Sequence, residues 1–184
     1  VLVSALPKIN DFLAGRLDRT AIRELGIGDL LGRRVVPPKK DLMHAAVKDR
    51  NILITGAAGT IGSQLCDTIL AHEPLSIILL DHSEIGLYNL QKQLEKKSGI
   101  RNEIIFLLGS IMDQEYLESV ISRFQIDKVY HAAAYKHVHL VEENIISGVR
   151  NNVLGTLNLV KSIRRSPVEE LVLISSDKAV HPKN

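Results

Sequence analysis

From Asn51 onward the chain alternates two kinds of apolar pattern. Short unbroken runs, such as Ile52-Leu-Ile54 and Ile77-Ile-Leu-Leu80, carry strong β preference and suit strands buried on both faces. They place strands at 51–55, 76–81, 103–108, 128–132 and 170–175. Between them, apolar residues recur every three or four positions, the spacing of one helix face. Ile61, Leu65, Ile69 and Leu70 mark a helix over 60–72. Leu87, Leu90 and Leu94 mark one over 84–97, started by His82 or Ser83 and ended by Ser98-Gly99. A third follows Gly109-Ser110, with Asp113 as its cap and Tyr116, Leu117, Val120 and Ile121 facing inward. Val141, Ile145, Val149, Val153, Leu157 and Val160 line one long helix over 138–165, closed by Pro167. A short helix capped by Asp41 covers 42–48. Strands alternating with helices predict an α/β fold: a doubly wound parallel sheet in the order 3-2-1-4-5, joined by right-handed crossovers and truncated after its fifth strand.

Residues 1–40 differ in pattern. Ile9, Phe12 and Leu13 suit one side of a short helix, and Leu25, Ile27, Leu30 and Leu31 sit between glycines. Pro37-Pro38 excludes helix and leaves an extended linker. The expected organisation is a linker or tail of an upstream domain over 1–40 and a dinucleotide-binding domain over 41–184. The basic residues around the prolines read as a solvated linker, with anionic lipid or a nucleotide phosphate as the alternative contact.

Composition narrows this picture. Of 184 residues, 45% are hydrophobic but only 4% aromatic, with no Trp, so the core is aliphatic. A net charge of +2 gives no nucleic-acid footprint. Cys66 is the single cysteine and excludes an internal disulfide, as in a reducing compartment. It reads as a small buried apolar residue. No apolar run is long enough to span a membrane and no signal peptide is visible. The start at Val1 and the close of the chain just past a strand suggest a piece of a longer protein.

The chemistry gathers at the carboxyl ends of the expected strands, where such sheets bind ligands. After the first strand come Thr55, Gly56, Gly59, Thr60, Ile61 and Gly62. Glycines at this spacing let the backbone turn tightly against a pyrophosphate, and the following helix offers its N–H groups. Asp81 ends the second strand about twenty residues further on, where a ribose-binding carboxylate belongs; His82 and Ser83 adjoin it. Ser110 and Ile111 follow the third strand. Ala132, Ala133 and Ala134 follow the fourth, small enough for a nicotinamide to approach, and Lys136 and His137 stand where a substrate would sit. Ser176, Asp177 and Lys178 follow the fifth. An acid and an amine side by side can act as proton donor and acceptor, and a Lys base needs a depressed pKa. No metal-ligating pattern is present.

The Gly-x-x-Gly-x-x-Gly spacing after Thr55 resembles the extended short-chain dehydrogenase/reductases that act on nucleotide sugars. Asp81-His-Ser-Glu-Ile-Gly-Leu-Tyr88, His131-Ala-Ala-Ala-Tyr-Lys-His-Val138, Asn151-Asn-Val-Leu-Gly-Thr156 and Ile174-Ser-Ser-Asp-Lys-Ala-Val180 resemble the CapD-type polysaccharide biosynthesis proteins. These are the UDP-N-acetylglucosamine 4,6-dehydratases and their relatives. The resemblance covers about 45–184. It implies an NAD(P)-binding Rossmann fold, a UDP-sugar substrate and a homo-oligomer, and Asp81, which would repel a 2′-phosphate, favours NAD over NADP. It also implies a cytoplasmic location, with the parent at the cytoplasmic face of the bacterial inner membrane.

By the same resemblance, Lys178 would take the sugar's C5 proton, Asp177 would protonate the departing C6 hydroxyl and Ser176 would assist at the C4 oxygen. Asn152 would be the structural active-site Asn. Ser110 stands where the family usually has Asp, His139 where Pro is common, and Ser176 where Thr is usual. The family's cofactor-binding lysine motif and sugar lobe would follow Asn184, so these 184 residues alone are expected to lack turnover. The competing expectations are a nucleotide-sugar epimerase and a non-catalytic dinucleotide-binding module. The Asp177-Lys178 pair favours a dehydratase over both.

Overall fold

The computed structural model describes residues 4–5, 23–24, 36–97 and 102–175. The chain divides into two compact units, Val1–Lys39 and Lys40–Asn184. In the first, β1 (Ser4–Ala5) pairs antiparallel with β2 (Arg23–Glu24). The helix expected around Ile9 to Leu13 and the segment 25–32 lie outside the described residues. Val36 to Lys39, with the two prolines, carry no regular structure.

The second unit begins with α1 (Lys40–Val47), where Asp41 lies inside the first turn rather than at the expected cap. There follow β3 (Asn51–Thr55), α2 (Thr60–Leu70), β4 (Ser76–Asp81), α3 (Glu84–Glu95), β5 (Glu103–Leu108), α4 (Gln114–Arg123) and β6 (Lys128–His131). The unit continues with α5 (Val138–Glu143), α6 (Ile145–Val149), a π-helical segment (Arg150–Gly155), α7 (Thr156–Ile163) and β7 (Glu170–Leu173). The five strands β3 to β7 form one parallel sheet in the order β5-β4-β3-β6-β7. This is the expected 3-2-1-4-5 order, with β6 and β7 ending one or two residues early.

Successive strand side chains point to opposite faces, which splits the core in two. Ile52, Ile54, Ile77 and Leu79 pack with Cys66, Ile69, Leu90 and Leu94 on one face. Leu53, Ile78, Leu80 and Val129 pack with Leu117, Val120, Ile121 and Leu159 on the other. The caps explain where the helices begin: Ser83 Oγ accepts from the Gly86 N–H, and Asp113 Oδ1 from the Tyr116 N–H. Cys66 is fully buried under α2, and burial, aided by the Asp67 carboxylate, pushes its thiol up to about 12.

The long helix expected over 138–165 is interrupted twice. Asn144, at φ −128° and ψ 50°, leaves the helical region, and the π-helical segment then inserts an extra residue into the turn. Each added residue rotates the downstream face by about 100°. The expected apolar stripe therefore fails to face the core: Ile145, Val149, Val153 and Leu157 are exposed, while Gly148, Gly155, Leu159 and Ser162 are buried.

At the amino ends of the strands a polar network closes the sheet. Asp127 Oδ2 accepts from the Asn51 N–H at 2.7 Å. Arg50 meets Glu169 at 2.8 Å, and Lys128, 8% exposed, meets Glu170 at 2.6 Å. No helix among the described residues is long and apolar enough to cross a membrane.

Candidate functional site

The site is built at the opposite, carboxyl end of the sheet. Thr55 closes β3, and Gly56 then turns the chain at φ +70°, a left-handed conformation that favours glycine. A Cβ on Gly56 would stand 2.6 Å from the Ala133 nitrogen and 2.7 Å from the Ala132 carbonyl. The turn therefore lies directly against the backbone that follows β6. Gly59 reaches back through its N–H to the Gly56 carbonyl at 3.1 Å. Gly59, at the N-cap of α2, has no side chain to cap it, so among the described residues the helix's first N–H groups are open to an anion. Gly62 is buried beneath Gly56.

Asp81 is 7% exposed and holds two loops at once. Its Oδ2 accepts from the Ala58 N–H at 2.9 Å, and its Oδ1 from the Ser83 N–H at 2.9 Å. His82 Nδ1 lies 3.5 Å from Oδ1. Each carboxylate oxygen retains a second lone pair, so the same group can brace the glycine turn and accept from a ribose hydroxyl.

Two cavities share Gly59, Ala132, Ala134 and Tyr135 as walls. The first, about 250 Å³, is bounded by Gly56, Asp81, His82, Ser83, Ser110, Ile111 and Ala133. The second, about 520 Å³, is bounded by Thr60, Ile61, Lys136 and His137 and by the apolar flank of Leu140 and Val141. Together they follow the carboxyl ends of β4, β3 and β6. No cluster able to hold a metal occurs among the described residues.

Three candidate residues stand behind these walls instead of on them. The Thr55 hydroxyl, fully buried, bonds His131 Nδ1 at 2.6 Å. His131 Nε2 bonds Thr156 Oγ1 at 2.9 Å, and the Thr156 hydroxyl donates to the Asn152 carbonyl at 2.8 Å. Asn152 turns its side chain to the Tyr135 main chain, accepting from its N–H at 2.8 Å and donating to its C=O at 3.0 Å. Gly62 lies below the turn. Ser176, Asp177 and Lys178 lie outside the described residues; Ser175 is the last before them.

Sequence reasoning missed Tyr135, His131 and Ala58 as site residues. Tyr135 and His131 sat within a phrase already singled out, but a backbone clamp and a buried relay have no sequence signature. Ala58 takes part through its main-chain N–H, to which residue type is blind.

Burial pushes the His131 imidazole down to about 4. Its pKa in the unfolded chain is about 6.5. The native protein therefore excludes a proton that the unfolded chain binds between these values. Stability from this group is complete above pH 6.5 and is lost as pH falls toward 4, a loss on the order of 3 kcal/mol. Urea unfolding from pH 7.5 to 4 is expected to show this as the difference between the parent and His131→Gln. Parallel pH curves for the two would contradict it.

A family model described as "Polysaccharide biosynthesis protein" matches residues 52–184. The capsular polysaccharide biosynthesis protein CapD of Staphylococcus aureus is 38% identical over 97% of this chain and 30% of its own length. A UDP-N-acetylglucosamine 4,6-dehydratase (inverting) of Campylobacter jejuni is 33% identical over 73% of this chain and 39% of its own. Among solved structures, Pen from Bacillus thuringiensis matches with a TM-score of 0.68 at 34% identity, covering 74% of this chain and 40% of that one. A Thermus thermophilus UDP-glucose 4-epimerase in complex with NAD matches with a TM-score of 0.54 at 30% identity, covering 66% of this chain and 36% of that one. The chain thus spans between a third and two fifths of most of these proteins, and 30% of CapD.

Proposed function

The chain belongs to the polysaccharide biosynthesis protein family, and from that premise we propose that it is the NAD-binding part of a UDP-N-acetylhexosamine 4,6-dehydratase. The observation that carries this reading is the pair of adjoining cavities: an uncapped glycine turn and Asp81 border the first, and Lys136 and His137 border the second. The turn suits a pyrophosphate, and Asp81 suits the adenosine ribose through its remaining lone pairs. Thr60 and Ile61 lead from the turn into the larger cavity, where a sugar nucleotide would lie beside the alanines.

NAD, held against Gly56, Gly59 and Asp81, would supply a hydride acceptor for sugar C4 and a hydride donor for C6. The chain's own residues divide the remaining work. Lys178 takes the C5 proton, which the C4 ketone acidifies, and gives a proton back to C5 as the hydride adds at C6. Asp177 protonates the C6 hydroxyl as it leaves as water. Ser176 hydrogen-bonds the C4 oxygen, whose proton passes to a general base of the full-length protein as the hydride leaves, and Asn152 holds the Tyr135 main chain in place.

Proton NMR on the full-length protein with UDP-N-acetylglucosamine and NAD tests this. A 4-keto-6-deoxy product supports it. Inversion at C4 with the C6 hydroxyl kept would establish the epimerase instead, an activity that the solved epimerase structures favour. Unchanged sugar together with tight NAD binding would leave a non-catalytic module.

NAD is expected to bind more tightly than NADP, because the buried Asp81 carboxylate repels a 2′-phosphate. Calorimetric titration with both cofactors checks it. Tighter NADP binding would remove Asp81 from the ribose.

A further inference from the structure

His131 ends β6 at 1% exposure. It borders neither cavity, yet both its ring nitrogens are engaged. The proton positions in its chain of bonds follow from counting. A carbonyl only accepts, so the bond between Thr156 and the Asn152 carbonyl uses the single hydroxyl proton of Thr156. Thr156 Oγ1 must then accept from His131, which places a proton on Nε2. A neutral ring leaves Nδ1 bare, so the Thr55 hydroxyl donates to it. The bonds run in one direction: Thr55 to His131, His131 to Thr156, and Thr156 to the Asn152 carbonyl.

That carbonyl belongs to the π-helical segment Arg150–Gly155. There the main-chain pairing shifts from four residues to five. The Thr156 hydroxyl meets the carbonyl at the i−4 spacing that the main chain has given up. On the same segment the Asn152 amide meets Tyr135, where it holds both the N–H and the C=O. Tyr135 is a wall of both cavities.

We propose that His131, as the neutral Nε2–H tautomer, is a positioning residue for the segment Ala132–Tyr135: it orients Thr156, Thr156 fixes the π turn, and Asn152 on that turn sets the wall between the two cavities. Its consequence for binding rests on the dinucleotide reading above. The alternative is a buried imidazole that only fills space at the end of the sheet.

The two ring nitrogens can be replaced one at a time. In His131→Gln the amide nitrogen falls near the position of Nε2 and keeps the donor to Thr156. In His131→Asn the amide falls near Nδ1 and loses that donor. Thr156→Val removes the hydroxyl, and Thr156→Ser restores it.

On the ¹⁵N-labelled chain, ring-nitrogen spectra are expected to show a protonated Nε2 and a bare Nδ1. The Tyr135 amide and the Asn152 side-chain amide should keep their parent positions in His131→Gln and Thr156→Ser and move in His131→Asn and Thr156→Val. By calorimetry, NAD should bind roughly tenfold more weakly to the latter pair, the usual cost of one lost internal hydrogen bond. A protonated Nδ1 in the parent would overturn the proposal. So would equal thermal destabilisation by Gln and Asn with the Tyr135 amide unmoved, the mark of a space-filling residue. If the parent chain binds no NAD, the cofactor reading fails on its own, and the positioning role is judged by the Tyr135 and Asn152 resonances.

Discussion

Lys178→Ala in the full-length protein is expected to abolish exchange of the substrate's C5 proton in heavy water while NAD still binds. The expectation follows from the chemistry of elimination. Once C4 is a ketone, the C5 proton is acidic, and one neutral amine on one face of the sugar suffices to remove it. Loss of the C6 hydroxyl is a separate demand, met by an acid. Asp177→Asn should therefore keep C5 exchange and stall before water departs. Each change should lower the rate of elimination by roughly two to four powers of ten, the range of general acid–base catalysis. If the pair merely braces a turn, both variants will lose stability and keep the chemistry. Exchange at the parent rate in Lys178→Ala would assign the base elsewhere.

Gly56→Ala is expected to cost the chain both stability and cofactor. At φ +70° a side chain brings roughly 1–2 kcal/mol of backbone strain. The new Cβ would also press on the main chain of Ala132 and Ala133 at 2.6–2.7 Å. That main chain cannot retreat freely. The Ala132 N–H donates to the Thr55 carbonyl at 2.9 Å, and the His131 carbonyl accepts from the Ile174 N–H at 3.0 Å. Retreat would break the pairing of β6 with its neighbours at the sheet's carboxyl edge. A combined loss of about 3 kcal/mol lowers Tm by roughly 6–12 °C, and NAD affinity should fall about 100-fold as the turn backs away. Gly59→Ala is the control. Gly59 sits at φ −71°, and its new Cβ would meet only the Gly56 carbonyl oxygen, at 3.3 Å. It should cost much less stability. Equal losses from the two would show that the close approach of Gly56 to Ala132–Ala133 is not what fixes the turn.

The strands of the sheet could be read from the chain because their signal is local. Ile52 to Ile54 and Ile77 to Leu80 are apolar without interruption since both faces of β3 and β4 are buried. Asp113 and Ser83 announced α4 and α3 because capping acts over three residues. The segment 138–163 could not be read in the same way. A periodicity argument assumes one unbroken helix at 3.6 residues per turn, and it fails where the helix breaks at Asn144 and again where a π turn intervenes. Periodicity thus puts Val149 and Val153 on a common stripe that the structure exposes. The His131 relay was hidden for a different reason. Its partners Thr55 and Thr156 lie 76 and 25 residues away and come together only once β3, β6 and α7 are packed. Asp81 was legible as a strand-end carboxylate, but its grip on Ala58 was not, because that bond uses a main-chain N–H.

The burial of Cys66 makes the chain its own reporter. The only thiol of the sequence lies at 0% exposure between α2 and the sheet, with its ionisation suppressed. A thiol-specific reagent can therefore reach it only in molecules where α2 has lifted away, so the labelling rate measures how often that happens. Since α2 begins at the glycine turn, a dinucleotide seated there should slow labelling in proportion to its occupancy. Reaction kinetics at one native sulfur would thus separate variants that have lost the fold from those that have only lost the ligand.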